Sequence, residues 1–275
     1  MTQYNNYSEV FNSLSAFNSA LNERTINVAF SSHQSSVTGT AKFTTTENYQ
    51  EASDLMLSGD IANLDKLVTV DGVDLSHIHG TKKVNRQQKS VAGGFPLVPV
   101  YLTGVPKNML ASKKITTKTK VISIVYNLSV CGNISSKDIV AAGAKVASII
   151  KYLEAKGIRC NLYVADVAKS VYSDMQVISF AVKIKDAGAP LNLLNIAYPL
   201  INPSMLRRHV FRFIETCPAA VSGGIARGYG VPGELNKHSD VCEKIGNNVT
   251  VINCSQILKS DVSEIANNII KSITI

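Results

Sequence analysis

The most regular pattern of apolar and polar positions lies in the second half of the chain. Residues 121–128, VISIVYNL, form an almost continuous apolar run, which is typical of a strand buried on both faces. After a polar turn, residues 135–156 carry apolar positions at helical spacing, with Ser135 or Ser136 as the N-terminal cap and Gly157 as the stop. Three more apolar runs, IRCNLYVA, VISFAVKI and NVTVINC, predict further strands. The pattern therefore predicts an α/β fold whose central mixed or parallel sheet is flanked by helices.

The N-terminal part is predicted to be mostly helical. Residues 8–22 place five apolar side chains on one helical face, and residues 43–60 and 60–70 predict two more helices. The polar and basic residues 76–94 predict a long exposed loop. The segment PLVPVYLTG predicts a short edge strand, because prolines interrupt it.

Two further helices are predicted towards the C-terminus. One covers residues 203–215, where Pro203 suits a first helical turn, and the other is amphipathic and closes the chain. The basic segment ASKKITTKTK is expected to connect the N-terminal elements to the first buried strand. We therefore expect an N-terminal helical region with a basic loop and edge strand at 1–111 and an α/β core at 112–275, or else one continuous domain.

The composition is that of a globular protein. Hydrophobic residues make up 45% of the 275 residues and charged residues 17%. No apolar run approaches the length that spans a bilayer, and the first residues lack the basic and apolar segments of a signal peptide. The five cysteines form no CxxC pair, which favours reduced thiols in a cytoplasm. We therefore expect a cytoplasmic protein without a membrane partner.

Positive charge is concentrated in one part of the chain. The formal net charge is +8, yet no Asp or Glu occurs from Leu75 through Lys137, a segment we call the basic window. Such a segment attracts polyanions and suits a phosphate backbone, although a solvated basic face without a partner is the alternative. The basic residues of this window that we expect to contact nucleic acid are Lys82, Lys83, Arg86, Lys89, Lys113, Lys114, Lys118 and Lys120.

A second candidate set of nucleic-acid contacts lies nearer the C-terminus. Arg207 and Arg208 belong to the predicted helix 203–215, and Arg227 and Tyr229 to the glycine-rich segment SGGIARGYGVPG. Guanidinium and aromatic groups together are what single-strand binders use to hold the backbone and stack the bases. The glycines are also suited to wrapping a phosphate group with backbone N–H groups, and the alternative is an irregular surface loop.

The polar turn after the first buried strand contains Asn127, Leu128, Ser129, Val130 and Cys131. It resembles the Asp-x-Ser-x-Ser turn with which von Willebrand A-type domains hold Mg²⁺. Here an amide replaces the carboxylate and a thiol replaces the last hydroxyl, whereas Mg²⁺ prefers oxygen ligands that include carboxylates. We therefore expect a degenerate site without metal, in which Asn127 stabilises the turn.

Motifs for catalysis are missing from the sequence. It contains no GxxxxGK[ST], no GxGxxG after a strand and no HExxH. Cys131 has no recognisable histidine partner, so a nucleophilic role is not expected for it. The sequence therefore predicts a protein without catalytic residues or a cofactor, which is not an enzyme and for which no small-molecule ligand is expected.

Three phrases carry a further resemblance: VAGGFPLVPVYLTGVPKNML, the strand, turn and helix that begin at Tyr126, and FAVKIKDAGAPLNLLNIAYPLINPSMLRRHVFRF. Together with FTTTENYQEASDLMLSGD they cover most of residues 43–213. They resemble a family of tailed-phage proteins, mostly of unassigned function, and the chain is similar to single-stranded DNA-binding proteins of podophages that carry a virion RNA polymerase. This resemblance implies a phage-encoded protein of the host cytoplasm that binds single-stranded DNA. Its expected role is to recruit a phage RNA polymerase to promoters, or to act in replication. The alternative is a von Willebrand A-like interaction scaffold, either an ATPase adaptor or a virion component.

Overall fold

A computed structural model of the chain describes residues 5–38, 41–68, 85–114, 121–170, 176–218, 225, 228–246 and 248–274. Its strands are β1 (Asn5–Phe11), β2 (Asn85–Ser90), β3 (Phe95–Pro96), β4 (Met109–Lys114), β5 (Val121–Asn127), β6 (Arg159–Lys169), β7 (Gln176–Lys185), β8 (Val231–Pro232) and β9 (Val249–Asn253). Its helices are α1 (Leu14–Glu23), α2 (Ser35–Thr38), α3 (Ala41–Thr44), α4 (Tyr49–Ser58), α5 (Leu64–Val68), α6 (Val98–Leu102), α7 (Ser136–Ala155), α8 (Leu193–Ile201), α9 (Phe211–Glu215), α10 (Asp240–Ile245), α11 (Cys254–Ile257) and α12 (Val262–Thr274). Within these ranges, no helix has the length and apolar character that crossing a bilayer requires.

A mixed sheet forms the centre of the molecule. Its strand order is β1-β7-β6-β5-β9, and β8 pairs with the end of β6. Three of the four neighbouring pairs on this path are parallel, and only β6 and β7 are antiparallel. Ile124 and Tyr126 pack into an apolar cluster with α7 and α8, while Val125 packs into a second cluster with α10. Both faces of β5 are therefore covered, which explains its unbroken apolar sequence and confirms the predicted fold class.

The predicted strand, turn, helix and strand at β5, α7 and β6 are confirmed. Helix α7 begins with a capping box, in which the Ser135 hydroxyl accepts a hydrogen bond from the Asp138 N–H at 3.2 Å and the Asp138 carboxylate accepts one from the Ser135 N–H at 3.2 Å. Just past its end, Gly157 adopts a φ of 80°, a conformation that favours glycine. At Gly143, α7 approaches α8 so closely that an added Cβ would lie 2.0 Å from the Leu200 carbonyl oxygen.

The helix predicted at residues 8–22 is wrong for residues 8–11, which belong to a strand. Residues Asn5–Phe11 form β1, which runs parallel to β7 at the edge of the main sheet. Helix α1 begins only after Ser13, whose hydroxyl accepts a hydrogen bond from the Ala16 N–H at 3.1 Å. Adjacent apolar residues fit one face of a helix as well as the two faces of a covered strand, so the pattern alone did not separate the two.

The position of β1 in the main sheet affects the domain boundary predicted at residue 111. The sheet takes an edge strand from the start of the chain and its other strands from residues after Val121. The predicted boundary at residue 111 therefore falls between β1 and the other strands of its sheet. The predicted helices at 43–60, 60–70 and 203–215 largely correspond to α4, α5 and a helical stretch that ends in α9 and includes the π-helical turn Met205–Val210.

A second sheet, of order β2-β4-β3 and called the small sheet here, lies within residues 85–114. The loop predicted at 76–94 is therefore a strand over Asn85–Ser90, and its residues 76–84 lie outside the described ranges. The edge strand predicted in PLVPVYLTG is reduced to Phe95–Pro96 followed by α6, because Pro99 suits the first turn of a helix. Residues 111–114 of the expected connector belong to β4, and its residues 115–120 lie outside the described ranges. No residue from 87 to 112 is buried, so the small sheet has no core of its own.

Candidate functional site

The turn after β5 is held together by buried side chains. The Asn127 amide nitrogen donates hydrogen bonds to the Gly233 carbonyl oxygen at 2.9 Å and to Oδ1 of Asn253 at 2.8 Å. Its amide oxygen accepts a hydrogen bond from the Ser129 N–H at 3.2 Å. Asn127 therefore joins the turn to the segments around β8 and β9, which confirms its predicted structural role. The described ranges contain no group of three or more His, Cys, Asp or Glu side chains placed to hold a metal ion.

Ser129 connects this turn to β6. Its hydroxyl oxygen lies 2.7 Å from Oδ1 of Asp166 and 2.7 Å from the Val167 carbonyl oxygen, and it accepts a hydrogen bond from the Val167 N–H at 2.9 Å. Burial raises the pKa of Asp166 to about 6, although the hydrogen bond from Ser129 works in the opposite direction. The sequence analysis missed Asp166. Its signal was a single carboxylate inside the otherwise apolar run LYVADVA.

We expect the Asp166→Asn variant to gain stability relative to the parent protein as the pH rises. Because the folded protein holds the Asp166 proton more tightly than the unfolded chain, this group favours folding below its ordinary pKa of 3.8 and loses that contribution as the pH rises through about 6. A shift of about two pH units corresponds to about 3 kcal/mol. Urea unfolding at about pH 4 and about pH 8 should give a stability difference, variant minus parent, that is up to about 3 kcal/mol larger at the higher pH. A difference that does not change with pH would contradict the raised pKa.

A cavity of about 120 Å³ lies beside the turn, at the carboxyl ends of β5 and β6. Ser129 and Asp166 line it from the sheet, and Arg207 and Phe211 line it from the helical stretch that follows α8. A second cavity of about 370 Å³ shares Gly132, Arg207 and Phe211 with the first. Ligands of open α/β sheets bind in crevices outside the carboxyl ends of parallel strands, so this position is a candidate binding site.

Arg207 lies where the two cavities meet. Its guanidinium carbon is 5.0 Å from the ring centre of Phe43 and 5.2 Å from that of Phe211, so the cation contacts two aromatic rings. The side chain is half-buried, and this burial lowers the pKa of Arg207. Among the residues that the structure describes, none accepts a hydrogen bond from Arg207 or forms an ion pair with it.

Arg208 has a different environment, although it is the next residue. Its side chain is fully buried, and its guanidinium donates to Oγ1 of Thr46 at 2.8 Å, to the Thr46 carbonyl oxygen at 2.7 Å and to the Ser36 carbonyl oxygen at 3.1 Å. These bonds attach the segments around α2 and α3 to the π-helical turn. The predicted contact between Arg208 and nucleic acid is therefore wrong, because the donors of this side chain are used inside the protein.

Tyr229 is also a structural residue. It is 8% exposed, and its ring stacks on Phe211 with the ring centres 4.0 Å apart. Its hydroxyl donates to the buried Glu215 carboxylate at 2.6 Å and accepts a hydrogen bond from the Ser35 N–H at 2.7 Å. The predicted stacking of Tyr229 on nucleic-acid bases is therefore wrong. Arg227 lies outside the described residues.

The chain around Tyr229 nevertheless belongs to the candidate site. Gly228, Tyr229 and Gly230 have φ values of 79°, 64° and 79°, so three consecutive residues adopt the left-handed conformation. A non-glycine residue in this conformation is uncommon, and such residues concentrate at functional sites. All three line the smaller cavity, opposite the helical stretch that carries Arg207. The structure thus brings the predicted glycine segment and Arg207 together around one cavity.

The small sheet carries four of the basic residues of the basic window that are expected to contact nucleic acid. Arg86 lies directly opposite Lys113 in the β2–β4 register, and Lys114 lies opposite Asn85. Lys89 is exposed and lies opposite Leu110, which is itself paired with Phe95 on β3. The other expected contacts of the window, Lys82, Lys83, Lys118 and Lys120, lie outside the described residues.

Large apolar side chains are exposed around the same sheet. Phe95 and Tyr101 are each 66% exposed. The aliphatic residues exposed in this region are Val91, Val98, Leu102 and Val105. Exposed apolar side chains that form a contiguous patch mark interaction sites, so this region is a candidate for one. Sequence analysis placed the basic charge here, but it did not identify the aromatic residues as exposed.

Comparison with known proteins adds a family but no activity. The family model described as "Domain of unknown function (DUF7192)" matches residues 1–275. The chain belongs to this family. No curated protein and no solved structure matches it.

Two surfaces of this DUF7192 protein therefore remain as candidates. One is the exposed small sheet with its basic and aromatic residues, and the other is the cavity pair around Arg207. Within the described ranges, no hydrogen bond or ion pair joins residues 85–114 to the main body. The two surfaces can therefore be changed separately by mutation.

Proposed function

We propose that the protein is a non-enzymatic single-stranded DNA-binding protein and that it holds the strand on the small sheet. The observation that carries this proposal is the register of β2 and β4, which places Arg86 directly opposite Lys113. Like charges at directly opposed strand positions disfavour the pairing of the strands. No acidic residue of the basic window is available to compensate, whereas a phosphate backbone along the sheet would offset the repulsion.

The exposed aromatic residues favour a single strand over a duplex. Phe95 is paired with Leu110, which is also opposite Lys89, so Phe95 and Lys89 occupy matching positions on the two outer strands of the small sheet. Proteins that bind single strands without reading their sequence combine a basic surface for the backbone with aromatic rings on which bases stack. Tyr101 on α6 adds a second exposed ring. Lys82, Lys83, Lys118 and Lys120 adjoin β2 and β4 in sequence and are proposed to extend the basic surface.

The biological setting is proposed from the resemblance to tailed-phage proteins. In that setting the protein acts in the host cytoplasm and recruits a phage RNA polymerase to promoters, or it serves replication. Single strands are exposed in both processes. A protein without catalytic motifs suits the recruiting role, because the attached polymerase supplies the chemistry.

We expect the Phe95→Ala and Tyr101→Ala variants to bind a single-stranded oligonucleotide more weakly by about 1–3 kcal/mol each. Stacking on a ring is not a charge effect, so the slope of log affinity against log salt should stay that of the parent protein. Fluorescence anisotropy with a labelled oligonucleotide over a salt series measures both quantities. Ile61→Ala, which truncates another exposed apolar residue far from this sheet in sequence, is the control and should bind like the parent. Equal affinity of all four proteins would contradict a stacking role.

An interaction scaffold is the second candidate, and one observation favours it. Val98 and Leu102 are exposed aliphatic side chains, which fit a protein partner better than a nucleobase. In this case the small sheet would dock on an ATPase or on another virion component. Binding of single strands that weakens steeply with salt supports the first candidate. The second would be favoured if the parent protein bound no oligonucleotide even at low salt.

A further inference from the structure

The charge of Arg207 has no partner among the residues that the structure describes. Arg208 donates to five backbone and side-chain acceptors. Within the described ranges, Arg207 contacts the faces of Phe43 and Phe211 and donates to no acceptor. Removing part of a cation from water costs free energy unless hydrogen-bond acceptors or a counter-charge replace the water. A guanidinium group has five N–H donors, and its planar shape matches the oxygens of phosphate and carboxylate groups. An anionic ligand at Arg207 would supply the missing acceptors.

The surroundings of Arg207 leave space for such a ligand. Its side chain borders both the 120 Å³ cavity and the 370 Å³ cavity. Gly132 borders both cavities and Gly228 the smaller one, and a Cβ added at either position would meet no atom within 4 Å. The backbone is therefore open to the cavities at these two glycines. Concave backbone segments with left-handed residues, such as Gly228–Gly230, are known as binding sites for anions and especially for phosphate.

One acidic side chain limits the charge of the ligand. Asp166 lines the smaller cavity, where Ser129 occupies only one of its two carboxylate oxygens. The other oxygen accepts no hydrogen bond from any residue in the described ranges, so it is available to a donor on the ligand. A phosphate group that keeps one proton offers both acceptors and a donor. Its oxygens can accept hydrogen bonds from Arg207, and its P–OH group can donate one to Asp166.

We propose that the place where the two cavities meet, around Arg207, binds a phosphate group. The group belongs either to a free ligand, such as a mononucleotide, or to the 5′ end of a DNA strand. Arg207 is the residue that neutralises it, the glycine backbone surrounds it, and the larger cavity accommodates the part of the ligand attached to the phosphate. This proposal is independent of DNA binding on the small sheet, and it differs from the expectation of no small-molecule ligand that the sequence produced.

The test is a set of binding measurements at constant ionic strength, by calorimetry and by thermal unfolding. The probes are inorganic phosphate, a nucleoside 5′-monophosphate, and one oligonucleotide with either a 5′-phosphate or a 5′-hydroxyl end, and potassium chloride is the blank. We expect the parent protein to bind at least one phosphate probe and to melt at a higher temperature with it. A 5′-phosphate that strengthens oligonucleotide binding identifies the strand end as the source, and binding of the mononucleotide without that effect identifies a free ligand.

The affinities of three variants for phosphate distinguish a specific phosphate site from a general effect of net charge. Arg207→Met should reduce affinity for phosphate at least tenfold, and Arg207→Lys should give an intermediate loss because the charge remains without the planar fork. Arg159→Met removes an exposed arginine outside both cavities and should bind phosphate like the parent.

Two results would overturn the phosphate site. One is a parent protein that responds to every phosphate probe as it does to potassium chloride. The other is an Arg207→Met variant that binds phosphate as tightly as the parent. Neither result concerns the small sheet, because the 5′-hydroxyl oligonucleotide reports on that surface separately.

Discussion

Replacing Arg86, Lys89, Lys113 and Lys114 with glutamine is expected to flatten the slope of log affinity for single-stranded DNA against log salt by up to about 2.8. Each phosphate contact to a single strand contributes about 0.7 to this slope, because neutralising a phosphate releases condensed counterions. Over a fourfold rise in salt, the parent protein should therefore lose about 50-fold more affinity than the variant. Anisotropy titrations at several salt concentrations measure both slopes directly.

The control for this experiment is a second fourfold variant with the same change in net charge. Lys66, Lys156, Lys237 and Lys259 are exposed and lie outside the basic window, so their replacement with glutamine should leave the slope close to that of the parent. Equal flattening in both variants would mean that DNA responds to total charge and not to the small sheet. An unchanged slope in the first variant would mean that the basic window is a solvated face without a DNA contact. The interaction scaffold would then be the better candidate function.

The Arg208→Met variant is expected to lose on the order of 3–5 kcal/mol of unfolding free energy. Methionine fills much of the space but leaves the carbonyl oxygens of Ser36 and Val37 without the donor that Arg208 supplies. The carbonyl oxygen and the hydroxyl of Thr46 each lose one of two hydrogen bonds. Each buried polar group without a partner costs about 1–3 kcal/mol, and partial relaxation keeps the total below the sum. Urea unfolding gives the difference, and Arg208→Lys should fall between the variant and the parent because lysine keeps the charge with fewer placed donors.

The neighbouring residue supplies the matched control. Arg207→Met loses only the ring contacts to Phe43 and Phe211, so its cost should stay below about 1.5 kcal/mol. A pair of adjacent arginines would then have opposite roles, one holding the fold and the other free for a ligand. Similar losses in the two methionine variants would contradict this division and would weaken the case for a phosphate site at Arg207.

The two proposed surfaces suit one protein that handles nucleic acid. The small sheet presents basic and aromatic residues without a core of its own, so a bound strand would cover surface that the protein leaves exposed. The cavity pair around Arg207 lies at the carboxyl ends of β5 and β6 in the main sheet. If its ligand is the 5′-phosphate of the strand, the protein binds the 5′ end of single-stranded DNA at Arg207 and the following nucleotides on the small sheet.

Local patterns in the sequence determined much of the main sheet. The apolar runs at β5, β6, β7 and β9 predicted those strands, because a strand covered on both faces needs apolar residues at successive positions. Ser135 and Gly157 predicted the limits of α7, because a cap and a left-handed stop depend only on nearby backbone. The concentration of positive charge on one segment was also evident from the sequence.

Only the tertiary structure decided which residues pair and which are buried. The segment NRQQKS has no apolar alternation, because β2 is not covered by a core, and its strand character comes from pairing with β4. The pattern at Val10 and Phe11 is compatible with a helix, and only the pairing of β1 with β7 shows that these residues lie in a strand. Arg207 and Arg208 are the same residue type at adjacent positions, yet among the described residues only Arg208 has hydrogen-bond acceptors. Those acceptors lie more than 160 positions earlier in the chain. Burial and pairing depend on such distant contacts, which no local pattern contains.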